Sequence, residues 1–291
     1  MVRYSHNHLD ATYTPGGEPV RKFLNPVRMV PHLWRHRYLI GQLTWREVIG
    51  RYKGSALGLG WSLLQPLMML CVYTFVFSFV FNARWGNTAE EGRAVFGLTL
   101  FLGLIAYGIF SDVINSAPLI ILGNVNYVKK VVFPLEILPL VRMLSCTIHA
   151  MFSMVVLFTG LYFVNGAIHW TAVFFPIMLL PLLLFTLGLG YFLSSLGVFI
   201  RDIGSTVGVF TTMILFLSPI FYPMRAVPER FRFIFQLNPM AVYIEDIREV
   251  VLWGKLPDMT LFCAGFLLAI VLGWGGFVWF MKTKKTFADV L

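Results

Sequence analysis

Charge is what this chain has least of. Only 13% of its 291 residues are Asp, Glu, Lys or Arg, against roughly one quarter in soluble domains. From Trp61 to Phe81 there is no charged residue at all. A helix rises about 1.5 Å per residue, so such a stretch spans roughly 30 Å, the hydrocarbon thickness of a bilayer. Further apolar runs follow, and mean hydropathy is +0.75. A soluble globular domain is therefore excluded. The runs are unbroken rather than alternating with period two, so the expected class is all-α and polytopic, not a β-barrel.

Catalytic signatures are also missing. Without a G-x-x-x-x-G-K-[ST] loop the chain is not expected to bind or hydrolyse ATP itself. Neither HExxH nor GxSxG occurs. The only cysteines, Cys71, Cys146 and Cys263, lie inside apolar runs with no CxxC or Cys/His cluster, so no disulfide, metal site or bound cofactor is expected. The first residues lack an apolar core, so no cleaved signal peptide is expected. The net charge of +9 does not imply nucleic acid, because the basic residues flank apolar runs as topology signals do.

Residues 1–30 are polar and rich in Pro, Gly and His, and read as a flexible tail. His6 and His8 read as solvated there. Over 34–53 a helical pattern places Trp34, Tyr38, Trp45, Val48, Ile49 and Tyr52 on one face and Arg35, Arg46, Arg51 and Lys53 elsewhere. Such an amphipathic helix suits the membrane interface. Arg35, Arg37, Arg46, Arg51 and Lys53 suit a pyrophosphate or anionic lipid equally. Membrane spans are expected at about 61–82, 94–117, 137–164, 172–199, 205–222 and 259–281. Asp112, near the end of the second, is expected to reach the interface or cap a neighbouring helix. His149 is expected to hydrogen-bond between helices.

The segment 118–135 is broken by prolines and charges and reads as a surface helix. Arg201 and Asp202 form a tight polar turn. In the longest loop, Asn238 before Pro239 signals a helix start and Gly254 a stop, with an earlier helix at 228–236. These are expected to be re-entrant half-helices, at about 225–253. Six spans put both termini on one side. Sixteen of the 23 Lys and Arg residues then fall on that side, which makes it cytoplasmic. The deep spans carry almost no charge, so an ion-coupled transporter is disfavoured and energy is expected from a partner.

Four stretches carry a resemblance: WREVIGRYKGSALGLGWSLLQPLMMLCVYTFVFSFVF at 45–81, NYVKKVVFPLEILPLV at 126–141, RDIGSTVGVFTTMILFLSPIFYP at 201–223 and LNPMAVYIEDIRE at 237–249. Together they resemble the permease subunits of type-2 ABC exporters. The match is best to the polysaccharide branch of O-antigen, capsule and teichoic-acid exporters, and covers about 31–291 in one six-span domain. The resemblance implies a homodimer in the bacterial inner membrane. Two copies of a separate ATP-binding subunit would hold ATP and Mg, and the cargo would be a lipid-linked polysaccharide.

In such families the interface helix and the 118–135 loop contact the ATPase, which puts Arg46, Arg51, Lys53, Asn126, Lys129, Lys130 and Glu136 in a coupling role. Aromatic faces can let sugar rings slide, so Tyr73, Phe75, Phe77, Phe210, Phe216, Phe221 and Tyr222 are candidate conduit linings. Pro228, Asn238, Pro239 and Tyr243 fall in the far-end closure. Rival readings are another cargo (teichoic acid, capsule or a drug), an energy-independent channel or scaffold, and a lipid-linked sugar transferase. The last would need an acidic or His-bearing cluster that is absent from the sequence.

Overall fold

The computed structural model describes residues 28–80, 93–129 and 133–291. Every regular element among them is helical. Five helices are long and apolar enough to cross a membrane: Gly58–Phe77, Ala94–Ile120, Ile137–Asn165, Trp170–Phe199 and Met259–Val290. The expected fifth span is shorter. Its helix α8 covers Ile203–Phe216, about 21 Å at 1.5 Å per residue. Leu217 leaves helical geometry at φ −82°, ψ 0°, and Pro219, which lacks an N–H donor, follows.

The chain enters through α1 (Met29–Arg35) and α2 (Arg37–Gly50), split at His36, whose φ −97° and ψ 13° are not helical. The interface segment is thus two helices. It also has two apolar faces. Ile40, Leu43 and Val48 recur at helical spacing and are buried. Ile40 and Leu43 share a cluster with Ile137 and Val141 of α6 (Ile137–Asn165). Trp34, Tyr38, Trp45 and Ile49 lie on the exposed face. Val48, grouped with those aromatics in the sequence, is turned inward because it follows Thr44 and Leu43 along the buried stripe.

The first long helix starts as α3 (Trp61–Tyr73) and widens into a π-helix over Thr74–Val80. Gly97 lies against Thr74 so closely that a β-carbon could not fit. The central helix is α4 (Arg93–Ile120). Leu98, Phe101, Leu102, Ile105 and Phe110 pack with Leu157 of α6, Leu182 of α7 (Phe175–Phe199) and Ile247 of α10 (Pro239–Val251). Further along α4, Val113 joins a second cluster with Tyr191, Phe277, Phe280 and Phe287, as does Ile121 just past its end.

The remaining elements are α5 (Val125–Lys129), α9 (Glu229–Gln236), α11 (Met259–Thr283) and α12 (Phe287–Val290). Helices α7 and α11 are pressed backbone to backbone, since a β-carbon on Gly188 would meet Leu272 and one on Gly276 would meet Gly188. Small residues of this kind let membrane helices approach when lipid supplies no hydrophobic drive.

Candidate functional site

Three groups of side chains stand out, at the two ends of the bundle and along its aromatic wall. The first lies at the end carrying α1, α2, α5 and α12. Here Glu136 is 2% exposed. His32 of α1 is 2.7 Å from its Oε1, and Lys284, just past α11, donates to Oε2 at 2.5 Å. Burial alone would raise this carboxyl, but the His32 hydrogen bond and the charge and hydrogen bond of Lys284 outweigh it and hold the pKa at about 2. Tyr191 of α7 donates to the Glu136 carbonyl at 2.9 Å. One acid therefore joins α1, the start of α6, α7 and the end of α11.

Around it are looser pairs. Arg142 donates to Glu47 at 2.7 Å and to Ser116 at 2.9 Å. Arg51 stands 3.6 Å from Asp112, so Asp112 reaches a partner on the segment after α2. Arg46 approaches the Tyr127 hydroxyl at 3.4 Å. Lys129 donates to the Leu291 carbonyl at 2.5 Å. Lys53, Asn126 and Lys129 are exposed, and Lys130 lies outside the described residues. Of the described candidates for coupling, five present exposed side chains. Glu136 can act only through His32 and Lys284.

The second group is aromatic. Phe77 stacks on Phe96 at 6.1 Å and on Phe221 at 5.8 Å, and Phe221 stacks on Phe216 at 5.8 Å. The Tyr222 hydroxyl donates to the Phe216 carbonyl, and its ring meets Phe235 of α9 edge-on at 6.1 Å. The turn after α8 thus gathers Phe77, Phe216, Phe221 and Tyr222 into one wall. Phe75 and Phe210 are exposed. Tyr73 instead lines a cleft between α3, α4 and α6.

The third group lies around α9 and α10. Asn238 accepts from the Met240 N–H at 3.0 Å, as the Asn-Pro pair predicts, and donates to the Leu217 carbonyl at 3.1 Å. Pro239 is the first residue of α10. Pro228 precedes α9 and lines an apolar groove with Leu217, Tyr222 and Phe231. Tyr243 is buried and donates to the Gly265 carbonyl at 2.9 Å.

Arg248 has no exposed surface. Its guanidinium donates to the carbonyls of Thr99 at 3.3 Å, Pro219 at 2.5 Å and Ile220 at 3.2 Å, and reaches Glu245 at 3.3 Å. Gly103 makes the room, because a β-carbon there would lie 2.6 Å from Nη2. Helix α8 ends at Phe216, which leaves carbonyls just beyond it for this planar, many-donor cation.

Residues 38–252 match the family described as ABC-2 type transporter. The chain belongs to that family. The match runs from the second residue of α2 to the end of α10 and takes in the aromatic wall, Glu136 and Arg248. This ABC-2 chain is 28% identical over 258 residues to the O-antigen export system permease protein RfbA of Klebsiella pneumoniae, covering 87% of this chain and 95% of that one. It is 27% identical over 266 residues to the protein of the same name from Myxococcus xanthus, covering 90% and 99%. Against the polysialic acid transport protein KpsM of Escherichia coli the figures are 23% over 223 residues, 73% and 81%.

Among the described residues of the ABC-2 chain, no three His, Cys, Asp or Glu side chains gather where they could hold a metal ion. Sequence reasoning missed two features. Arg248 is one of the seven basic residues outside the cytoplasmic count, and its local signal is Glu245 one helical turn before it. The His32–Glu136–Lys284 junction joins residues more than a hundred apart, which no local pattern reveals.

Proposed function

We propose that this chain is the membrane-spanning subunit of an ATP-driven exporter of polysaccharide, with O-antigen as the best-supported cargo class. What carries the reading is similarity along nearly the whole chain to relatives named O-antigen export permeases. The polysialic acid relative supports a capsule-type cargo as the second reading. A sugar polymer on a lipid carrier is long and polar, so it needs a continuous path rather than a closed pocket. Stacked aromatic faces suit such a path because they impose little directional hydrogen bonding.

In this reading two copies of the chain surround the conduit in the bacterial inner membrane. Both termini face the cytoplasm, and two ATP-binding subunits hold ATP and Mg. Helix α8 with its aromatic turn serves as a sixth crossing, and α9 and α10 are re-entrant. The exposed Arg46, Arg51, Lys53, Asn126 and Lys129 meet the ATPase. Closure of that partner pulls on α2 and α5, tilts the first and fifth crossings, and opens the wall of Phe77, Phe216, Phe221 and Tyr222. Pro228, Asn238, Pro239 and Tyr243 belong to the far-end closure.

The test is purification from native membranes, identification of co-eluting proteins and an ATPase assay. A stoichiometric ATP-binding partner whose hydrolysis depends on this chain is the expected result. A lone chain indifferent to ATP would sink the reading in favour of a channel or scaffold. Lys129→Glu is expected to leave the complex assembled but to separate ATP hydrolysis from export, and unchanged export would remove α5 from the coupling role.

A further inference from the structure

The cleft between α3, α4 and α6 shares Arg51 with the coupling surface of that export scheme, and the rest of its lining has no part in it. It measures ≈ 220 Å³. A single water needs only about 10–15 Å³ of such volume, so the cleft has room for a small polar headgroup. The lining is graded along the helices. Arg51, Asp112 and His149 stand toward the charged end, and Met69, Leu104 and Phe101 toward the middle of the bundle. Eleven residues of α4 separate Asp112 from Phe101, about 16 Å of rise. The cleft is therefore amphipathic in the same direction as a lipid whose headgroup lies at that end.

Its polar groups are incompletely matched. Arg51 and Asp112 stand 3.6 Å apart with 36% and 50% of their side chains exposed, too far for a hydrogen bond. His149 has Nδ1 3.4 Å from the Tyr52 hydroxyl, while its buried Nε2 has no hydrogen-bond partner. One cation and one carboxylate side by side make the charged lining neutral. A diphosphate or a purely anionic headgroup would satisfy Arg51 and be repelled by Asp112. A headgroup carrying both charges satisfies both.

We propose that this cleft binds a zwitterionic phospholipid with a primary ammonium, its phosphate on Arg51 and its ammonium on Asp112, as a resident lipid distinct from the cargo carrier. Helix α3 suits such access, since only 6% of its apolar window is buried by the rest of the chain. The inference needs only the membrane-spanning reading, not the cargo.

The full chain, with any co-purifying subunit, is dosed in detergent with equal mole fractions of dioleoylphosphatidylethanolamine, dioleoylphosphatidylglycerol and undecaprenyl diphosphate. Native mass spectrometry then reads the retained lipid. The ethanolamine lipid is expected to exceed the glycerol lipid by about fivefold, the upper range for one partly exposed ion pair. Asp112→Asn is expected to erase that preference, and Arg51→Gln to release both lipids. Equal retention by the unaltered chain, a preference that survives Asp112→Asn, or displacement by undecaprenyl diphosphate would each overturn the proposal. Should Arg51→Gln not accumulate, Asp112→Asn decides alone. Failure here leaves the exporter reading standing, and absence of an ATPase partner leaves the lipid result readable.

Discussion

The two ends of the bundle handle charge in opposite ways. At the end with α1, α2 and α5, side chains pair with side chains: Glu136 with His32 and Lys284, Arg142 with Glu47, Arg51 with Asp112. At the far end Arg248 is held by main-chain carbonyls of α4 and of the turn after α8. Side-chain pairs can part and find water. A guanidinium buried among carbonyls has no such alternative, because losing it leaves the buried carbonyls of Thr99, Pro219 and Ile220 without donors. The pairs at the first end are the easier to separate, and the Arg248 cluster the harder.

Breaking that contrast begins at Arg248. Arg248→Met should cost about 3–5 kcal/mol, since it leaves three buried carbonyls without donors at about 1–3 kcal/mol each, read as a fall in thermal unfolding temperature in detergent. Arg248→Lys should recover part of it, since an ammonium keeps the charge but not the planar fork. Full recovery would mean that charge alone, not the carbonyl geometry, holds the far end.

Glu136→Gln comes next, at about 3 kcal/mol, because it leaves the Lys284 ammonium without its buried anionic partner. It also has a pH signature. The folded carboxyl sits at about 2 instead of 4.5. Its contribution is therefore complete above pH 4.5 and is lost as pH falls from there toward 2. The unaltered chain should lose stability across that window, and Glu136→Gln should not share that loss. Parallel profiles would show that the junction is not what titrates.

Gly276→Ala should cost about 1–3 kcal/mol by overpacking the α7–α11 seam. It touches neither charged end, so it sets the scale for a purely steric change. Asp112→Asn should move stability by less than about 1 kcal/mol, because its pair with Arg51 is partly exposed. A larger loss would place that pair with the buried ones and weaken the comparison.

The sequence made most of the architecture legible, because a membrane requires long uncharged runs and the chain supplies them. The Asn238 cap, the Gly254 stop with φ +65° and the polar turn at Arg201–Asp202 follow from local chemistry alone. The end of α8 at Phe216 was less legible, because apolar residues continue past it and hydropathy does not register that Leu217 leaves the helix. The second apolar face of α2 was obscured because Trp and Tyr dominate the pattern while Ile40 and Leu43 make the contact. Burial of Glu136 and Arg248 was out of reach. Both depend on which distant helices meet.

The glycine seam has a mechanical meaning. With Gly188 and Gly276 in backbone contact, the side-chain layer that Tyr191, Phe277 and Phe280 form between α7 and α11 is interrupted by a point where the two backbones cannot slide past each other. They act as a single beam, two helices thick, against which other parts of the subunit can swing. Spectroscopic labels on the outward faces of α7 and α11 would keep one fixed separation through a transport cycle, and would serve as the ruler for every other helix.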